Sequence, residues 1–196
     1  MKNISFKQYR TIDLITMAVI LFVIETLVGK AANSWFPEQL FMLSPALSVI
    51  CIVMMRWGGF AAIHAVVEGA ALCLAMGAAP DQFAVYCIGN CLSLLALIII
   101  KAFGKQRVKD NIILTIVFVI VAYFGAQFGR WIVGLFFGGK ADTLLAFIAT
   151  DSLSLLFAVI VVLISRRIDG LFEDQKAYLI RTESERRREQ SYDNFE

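Results

Sequence analysis

Six apolar blocks divide this chain, and each approaches the length that a bilayer demands. They run over about 12–28, 39–55, 58–76, 82–100, 112–137 and 143–164. A helix needs about 20 predominantly apolar residues to cross a hydrocarbon core. Irregular backbone exposed to lipid would leave its polar groups unsatisfied, so such blocks fold as helices. The pattern predicts an all-α membrane protein, a compact bundle of six transmembrane helices. The second block carries Pro45, tolerated in membrane helices as a kink. The 59% hydrophobic content exceeds the norm of soluble domains, and the excess lies in these blocks.

The first block follows Lys2, Lys7 and Arg10, as a signal peptide would. Asp13 and Glu25 bracket it, however, and no small-x-small cleavage site follows. It reads as a retained helix. Residues 1–164 form the expected transmembrane domain. Residues 165–196 form a charged tail, helical through "EDQKAYLIRTESERRRE".

The net charge of +2 says less than the placement of the charges. Lys2, Lys7 and Arg10, then Arg56, then Lys101, Lys105, Arg107 and Lys109, then Arg166 and Arg167 all fall on alternate connections. The connections between them hold only Lys30 and Lys140. Basic residues favour the cytoplasmic side, so both termini are expected inside, with "GKAANSWFPEQ", "GAAPDQ" and "GGKAD" outside. Trp35 and Phe36 in the first of these suit an interfacial belt or a lid. Nothing in this distribution suggests nucleic acid.

Cys51, Cys73, Cys87 and Cys91 all lie in apolar blocks, which argues against a disulfide framework. Cys87 and Cys91 share a helix face. With one histidine elsewhere they are too thin a ligand set for zinc, and they read as small packing residues. No metal or cofactor is expected.

Ionisable side chains inside a membrane are costly and face the bundle interior. Glu25 lies in the first block, His64 and Glu68 in the third, Arg130 beside Trp131 in the fifth, and Asp151 in the sixth. His64 and Glu68 are one helical turn apart on one face. Tyr86, Asn90 and Ser93 form a polar stripe on the fourth block, and Tyr123, Gln127 and Arg130 form one on the fifth. The expected topology biases this set toward the outer side and predicts an outward cavity lined by the third to sixth helices. The inner halves "LLALIII" and "LLFAVIVVLI" are apolar, so the cavity would be blind rather than a pore. In this reading Arg130 holds an anionic or carbonyl group, and Glu68 and Asp151 accept donors or balance Arg130. Tyr86, Asn90, Tyr123 and Gln127 give directional hydrogen bonds, Trp131 gives a stacking face, and Glu25 adds an outer acid. His64 either orients Glu68 or packs. Ion pairs that merely lock the bundle are the competing account. "GAQFG", 125–129, is a small-xxx-small pattern for close helix contact.

An enzyme is not expected: neither G-x-S-x-G nor H-E-x-x-H occurs. A blind cavity in a small bundle points instead to substrate capture by a protein that needs partners. "MMRWGGFAAIHAVVEGA", 54–70, and the tail start "SRRIDGLFEDQ", 165–175, together with the six-helix layout over about 10–170, resemble the substrate-binding S components of energy-coupling factor transporters. The resemblance implies a bacterial cell-membrane protein that binds a vitamin-like or other small polar micronutrient. It implies a membrane scaffold subunit and two cytoplasmic ATPase subunits as partners, since this chain has no G-x-x-x-x-G-K-[ST] loop. The alternative is a non-transport membrane scaffold that recruits a cytoplasmic partner through its tail.

Overall fold

A computed structural model describes residues 5–35 and 42–193, which are all-helical with no strand. The helices are α1 (Phe6–Trp35), α2 (Ala46–Trp57), α3 (Ala61–Met76), α4 (Pro80–Gly89), α5 (Leu97–Phe103), α6 (Lys105–Asp110), α7 (Ile112–Phe136), α8 (Thr143–Thr150), α9 (Ser152–Ser165) and α10 (Gln175–Asp193). Short 3-10 segments, Gly58–Phe60 and Asn90–Ala96, join α2 to α3 and α4 to α5.

Local chemistry sets several ends. The Asn111 side chain accepts from the N–H groups of Ile113 and Leu114 at 2.9 and 3.2 Å and so caps α7. Gly77 stops α3 in the left-handed conformation, its N–H donating to the Cys73 carbonyl. Pro45 precedes α2 rather than kinking it, at a position where a missing N–H costs nothing. α1 outruns its expected block at both ends and absorbs most of the expected first outer connection. Ala31 and Ala32 carry the helix past Lys30, because alanine is the strongest helix former. Trp35 ends α1 exposed, while Phe36 lies outside the described residues.

The contacts fix helix directions. Ser44, just before α2, bonds Glu25, and Arg56 near its end pairs with Asp13. The two pairs are each twelve residues apart along their chains, so α1 and α2 run antiparallel in register. At the far end of α3, Ala75 packs against Gly29 of α1, where an added Cβ would come within 2.9 Å. α3 therefore runs back alongside α1. The reversal is made at Gly58, whose φ of 62° favours glycine.

By length and composition, four helical stretches could cross a membrane: Phe6–Trp35, Ala46–Met76, Pro80–Phe103 and Ile112–Phe136. The pair α8 and α9, bent by 45° at Asp151, makes a fifth if counted as one span. This count of four or five does not reach the six spans expected from the sequence; Ala46–Met76 doubles back at Gly58, and its two arms, α2 and α3, have 12 and 16 residues. Large apolar side chains face outward, among them Leu27, Ile98 and Leu145, while Glu25, His64, Gln127 and Arg130 are buried. Apolar outside and polar inside is the distribution of a chain solvated by lipid, and the long apolar helices are compatible with a multi-pass membrane protein.

α7 lies at the centre. Gly125 and Gly129 press on the backbone of Gly89 and Leu92, so the small-residue pattern seats α7 directly on the α4 to α5 segment. The tail contributes to the body as well: Phe172 is wholly buried and packs edge-on against Phe118 at 6.3 Å.

Candidate functional site

Arg130 is 4% exposed and is held by groups from four segments. Its Nε donates to Asn90 Oδ1 at 2.6 Å, at the start of the 3-10 segment. Its Nη2 donates to Glu68 Oε1 on α3 at 3.1 Å. Its Nη1 donates to Asp151 Oδ2 and, at 3.4 Å, to Gln127 Oε1 one turn back on α7. Tyr86 covers the guanidinium face, its ring centroid 4.8 Å from Cζ. Gln127 Nε2 also donates to Asp151 Oδ2 at 3.0 Å. Six of the residues singled out in the sequence thus meet at one point: Glu68, Tyr86, Asn90, Gln127, Arg130 and Asp151.

Two interrupted helices meet there. The 3-10 segment starts at Asn90, and Asp151 is the break between α8 and α9. A break deep in a bundle frees backbone groups that must be satisfied nearby. The chain just before α2 does this: the Met42 N–H donates to the Thr150 carbonyl at 2.8 Å. Ser154 Oγ donates to the Met42 carbonyl at 3.1 Å and accepts from the Ser44 N–H at 2.8 Å. Ser44 Oγ then donates to Glu25 Oε2 at 2.8 Å. Glu25 therefore stands behind Ser44, within the electrostatic reach of Asp151 and Arg130.

Between these groups is a space of about 10 Å³, lined by Ser44, Glu68, Ser93, Tyr123, Arg130 and Asp151 among others. That is room for about one water molecule. The outward cavity expected from the sequence is not open here, and a vitamin-sized molecule does not fit the space. Tyr123 lines the space but spends its hydroxyl on the Ile148 carbonyl at 2.5 Å. Trp131 packs edge-on against Phe128 at 6.4 Å and is not on the wall. His64 is fully buried, and its ring faces the backbones of Leu14 and Phe60 rather than Glu68. It does not orient Glu68. Asn90 Nδ2, Ser93 Oγ and Trp131 Nε1 are buried without partners.

Sequence reasoning missed Ser44. A serine directly before a proline, opening an apolar block, was the available signal for Ser44.

A second polar cluster closes the other end of the bundle. Arg56 donates to both Asp13 oxygens, at 3.0 and 2.7 Å, and to the Gly170 carbonyl at 2.6 Å. The Trp57 indole also donates to Asp13, at 2.5 Å. Lys105 pairs with Asp174 at 2.5 Å and Lys109 with Glu173 at 3.2 Å. Burial pushes the Glu173 carboxyl up, but the Gly170 N–H, Lys109 and Arg181 outweigh it and hold it below the ordinary carboxylate range. Asp174 is held low in the same way, burial being outweighed by Lys105 and the Ala177 N–H.

Compared with protein-family models, curated proteins and solved structures, the chain finds no match.

Proposed function

We propose that this chain is the membrane-embedded substrate-capture subunit of an energy-coupling-factor type importer. It binds a small polar micronutrient around Arg130 and delivers it with a scaffold subunit and two ATPases. The observation that carries this reading is the meeting of two interrupted helices at one buried, multiply held guanidinium. A lock that only tied the bundle together would not need broken helices at its contact points. Transport sites are commonly built from discontinuous helices at this depth, and 3-10 stretches inside helices mark places that give.

On this reading α2 and α3 count as separate spans and the bent pair as one, for six in all. The Asp13, Arg56, Lys105 and Asp174 end faces the cytoplasm, as the excess of basic residues there favours. The Glu25 and Arg130 end faces outward.

Two measurements test this. Affinity purification of the tagged chain from native membranes should bring down a larger membrane protein and two P-loop ATPases, identified by mass spectrometry. A thermal-shift screen of the purified chain should give a ligand, with stabilisation of about 2.7 kcal/mol at 100 times its Kd. A chain that purifies without any ATPase and binds nothing in the screen would sink the proposal.

A further inference from the structure

We infer that the Arg130 cluster receives the positively charged end of an organic molecule, a protonated amine or amidine, between Glu68 and Asp151. The inference rests on the capture reading above and names the class of substrate captured.

Most donors at this site are spent. A guanidinium has five N–H groups in a fixed fork, and Arg130 directs four bonds, to Asn90, Gln127, Asp151 and Glu68, while Tyr86 covers its face. An anionic substrate would compete with Glu68 and Asp151 for Arg130. Asn90 and Trp131, whose buried N–H groups lack partners, do not line the space. Acceptors are in surplus. Among the described residues, nothing donates to Glu68 Oε2 or Asp151 Oδ1. Ser93 is fully buried, lines the space and has a hydroxyl with no partner.

Charge runs the same way. At the wall two carboxyl groups, Glu68 and Asp151, face one guanidinium, with the Glu25 carboxyl behind Ser44. Acidic groups outnumber basic ones there, so a cationic group can pair with them where an anionic one would have to compete for Arg130. The space of about 10 Å³ suits an ammonium group, which is close to a water molecule in size. A directly ligated metal ion fits less well. Among the described residues no three carboxylate, imidazole or thiol groups gather closely enough to hold one.

The test is a thermal-shift screen followed by calorimetric titration of the full-length protein in detergent. The library is water-soluble metabolites sorted by charge into cationic, neutral and anionic sets. Its core is three molecules on one carbon frame: 1,4-diaminobutane, 1,4-butanediol and succinate. Hits should be confined to the cationic set, with the diamine shifting melting where the diol and diacid do not. Glu25→Gln removes one carboxyl group without touching Arg130, and Ser93→Ala removes the free hydroxyl. Each should weaken the best cation by about tenfold while helix content, read by circular dichroism, stays unchanged. Hits among neutral or anionic molecules overturn the inference but leave the capture reading standing. A cation that binds both variants as it binds the parent overturns the assignment to this cluster. No hit in any set overturns the inference, and the capture reading falls with it if the chain also purifies without an ATPase.

Discussion

Two glycines on α7 should respond to the same substitution with opposite signs. Gly129→Ala places a methyl group against the Gly89 carbonyl oxygen, with Gly89 C at 2.8 Å and Leu92 Cβ at 2.9 Å. Most of that obstruction is backbone, which cannot rotate away, so α7 must lift from the α4 to α5 segment. Overpacking of this kind costs about 1–3 kcal/mol, against a gain in helix propensity of about 0.5–1 kcal/mol. Gly134→Ala meets nothing within 4 Å and keeps the gain alone. At about 2–4 °C per kcal/mol for a chain of this size, Gly129→Ala should lower Tm by several degrees and Gly134→Ala should raise it slightly. Thermal melts in one detergent, followed by light scattering and circular dichroism, give both numbers. Lifting α7 also draws Arg130 from Asn90, so Gly129→Ala should weaken substrate binding more than its loss of stability alone would. Equal Tm values for the two variants would refute the close backbone contact on which this rests.

Arg130→Met leaves Glu68 and Asp151 buried without a counter-charge and should cost about 3–5 kcal/mol. Adding Glu68→Gln and Asp151→Asn should recover part of it, with a coupling of about 0.5–3 kcal/mol; strict additivity in unfolding titrations would refute the ion cluster. Phe172→Ala should cost about 3–5 kcal/mol as a core truncation, and a loss under 1 kcal/mol would show that the tail segment does not pack on Phe118. Glu173 and Asp174 are held below their ordinary range, so their stabilisation of tail docking is present above the unfolded carboxylate value. It is lost as pH falls below the ordinary carboxylate range, about 4, and through the lower folded values. A spin label at Thr182 should become mobile across that window, at a higher pH in Lys109→Met, and mobility that ignores pH would contradict the assignment.

The apolar blocks announced the helices because lipid leaves a chain few alternatives. The blocks at 112–137 and 143–164 coincide within a residue or two with α7 and with α8 plus α9. The stripes Tyr86, Asn90, Ser93 and Tyr123, Gln127, Arg130 were readable because spacing of four then three keeps three residues on one helix face. Most of what they led to, the convergence on Arg130, was readable for the same reason. The breaks at Asn90 and Asp151 were not. They depend on neighbours far along the chain, Gly129 for one and Met42 for the other, and no local pattern marks them. The closed state of the space was equally hidden, since sequence gives the groups around a site but not how near they stand. Arg56 was read for topology alone; its bonds to Asp13 and Gly170 join positions that only the folded chain brings together.

That last link has a consequence for how the protein is made. Gly170 is synthesised 114 residues after Arg56. At about 5–20 residues per second, the wait is of order 6–23 s. During that time the first three helices wait with one arm of Arg56 lacking its carbonyl, and Phe118 emerges without Phe172 to cover it. The early helices are thus a provisional assembly, made final by the segment that carries Gly170 and Phe172. A chain that stops short of residue 172 lacks the cover on Phe118, which offers quality-control proteases a way to tell truncated copies from finished ones.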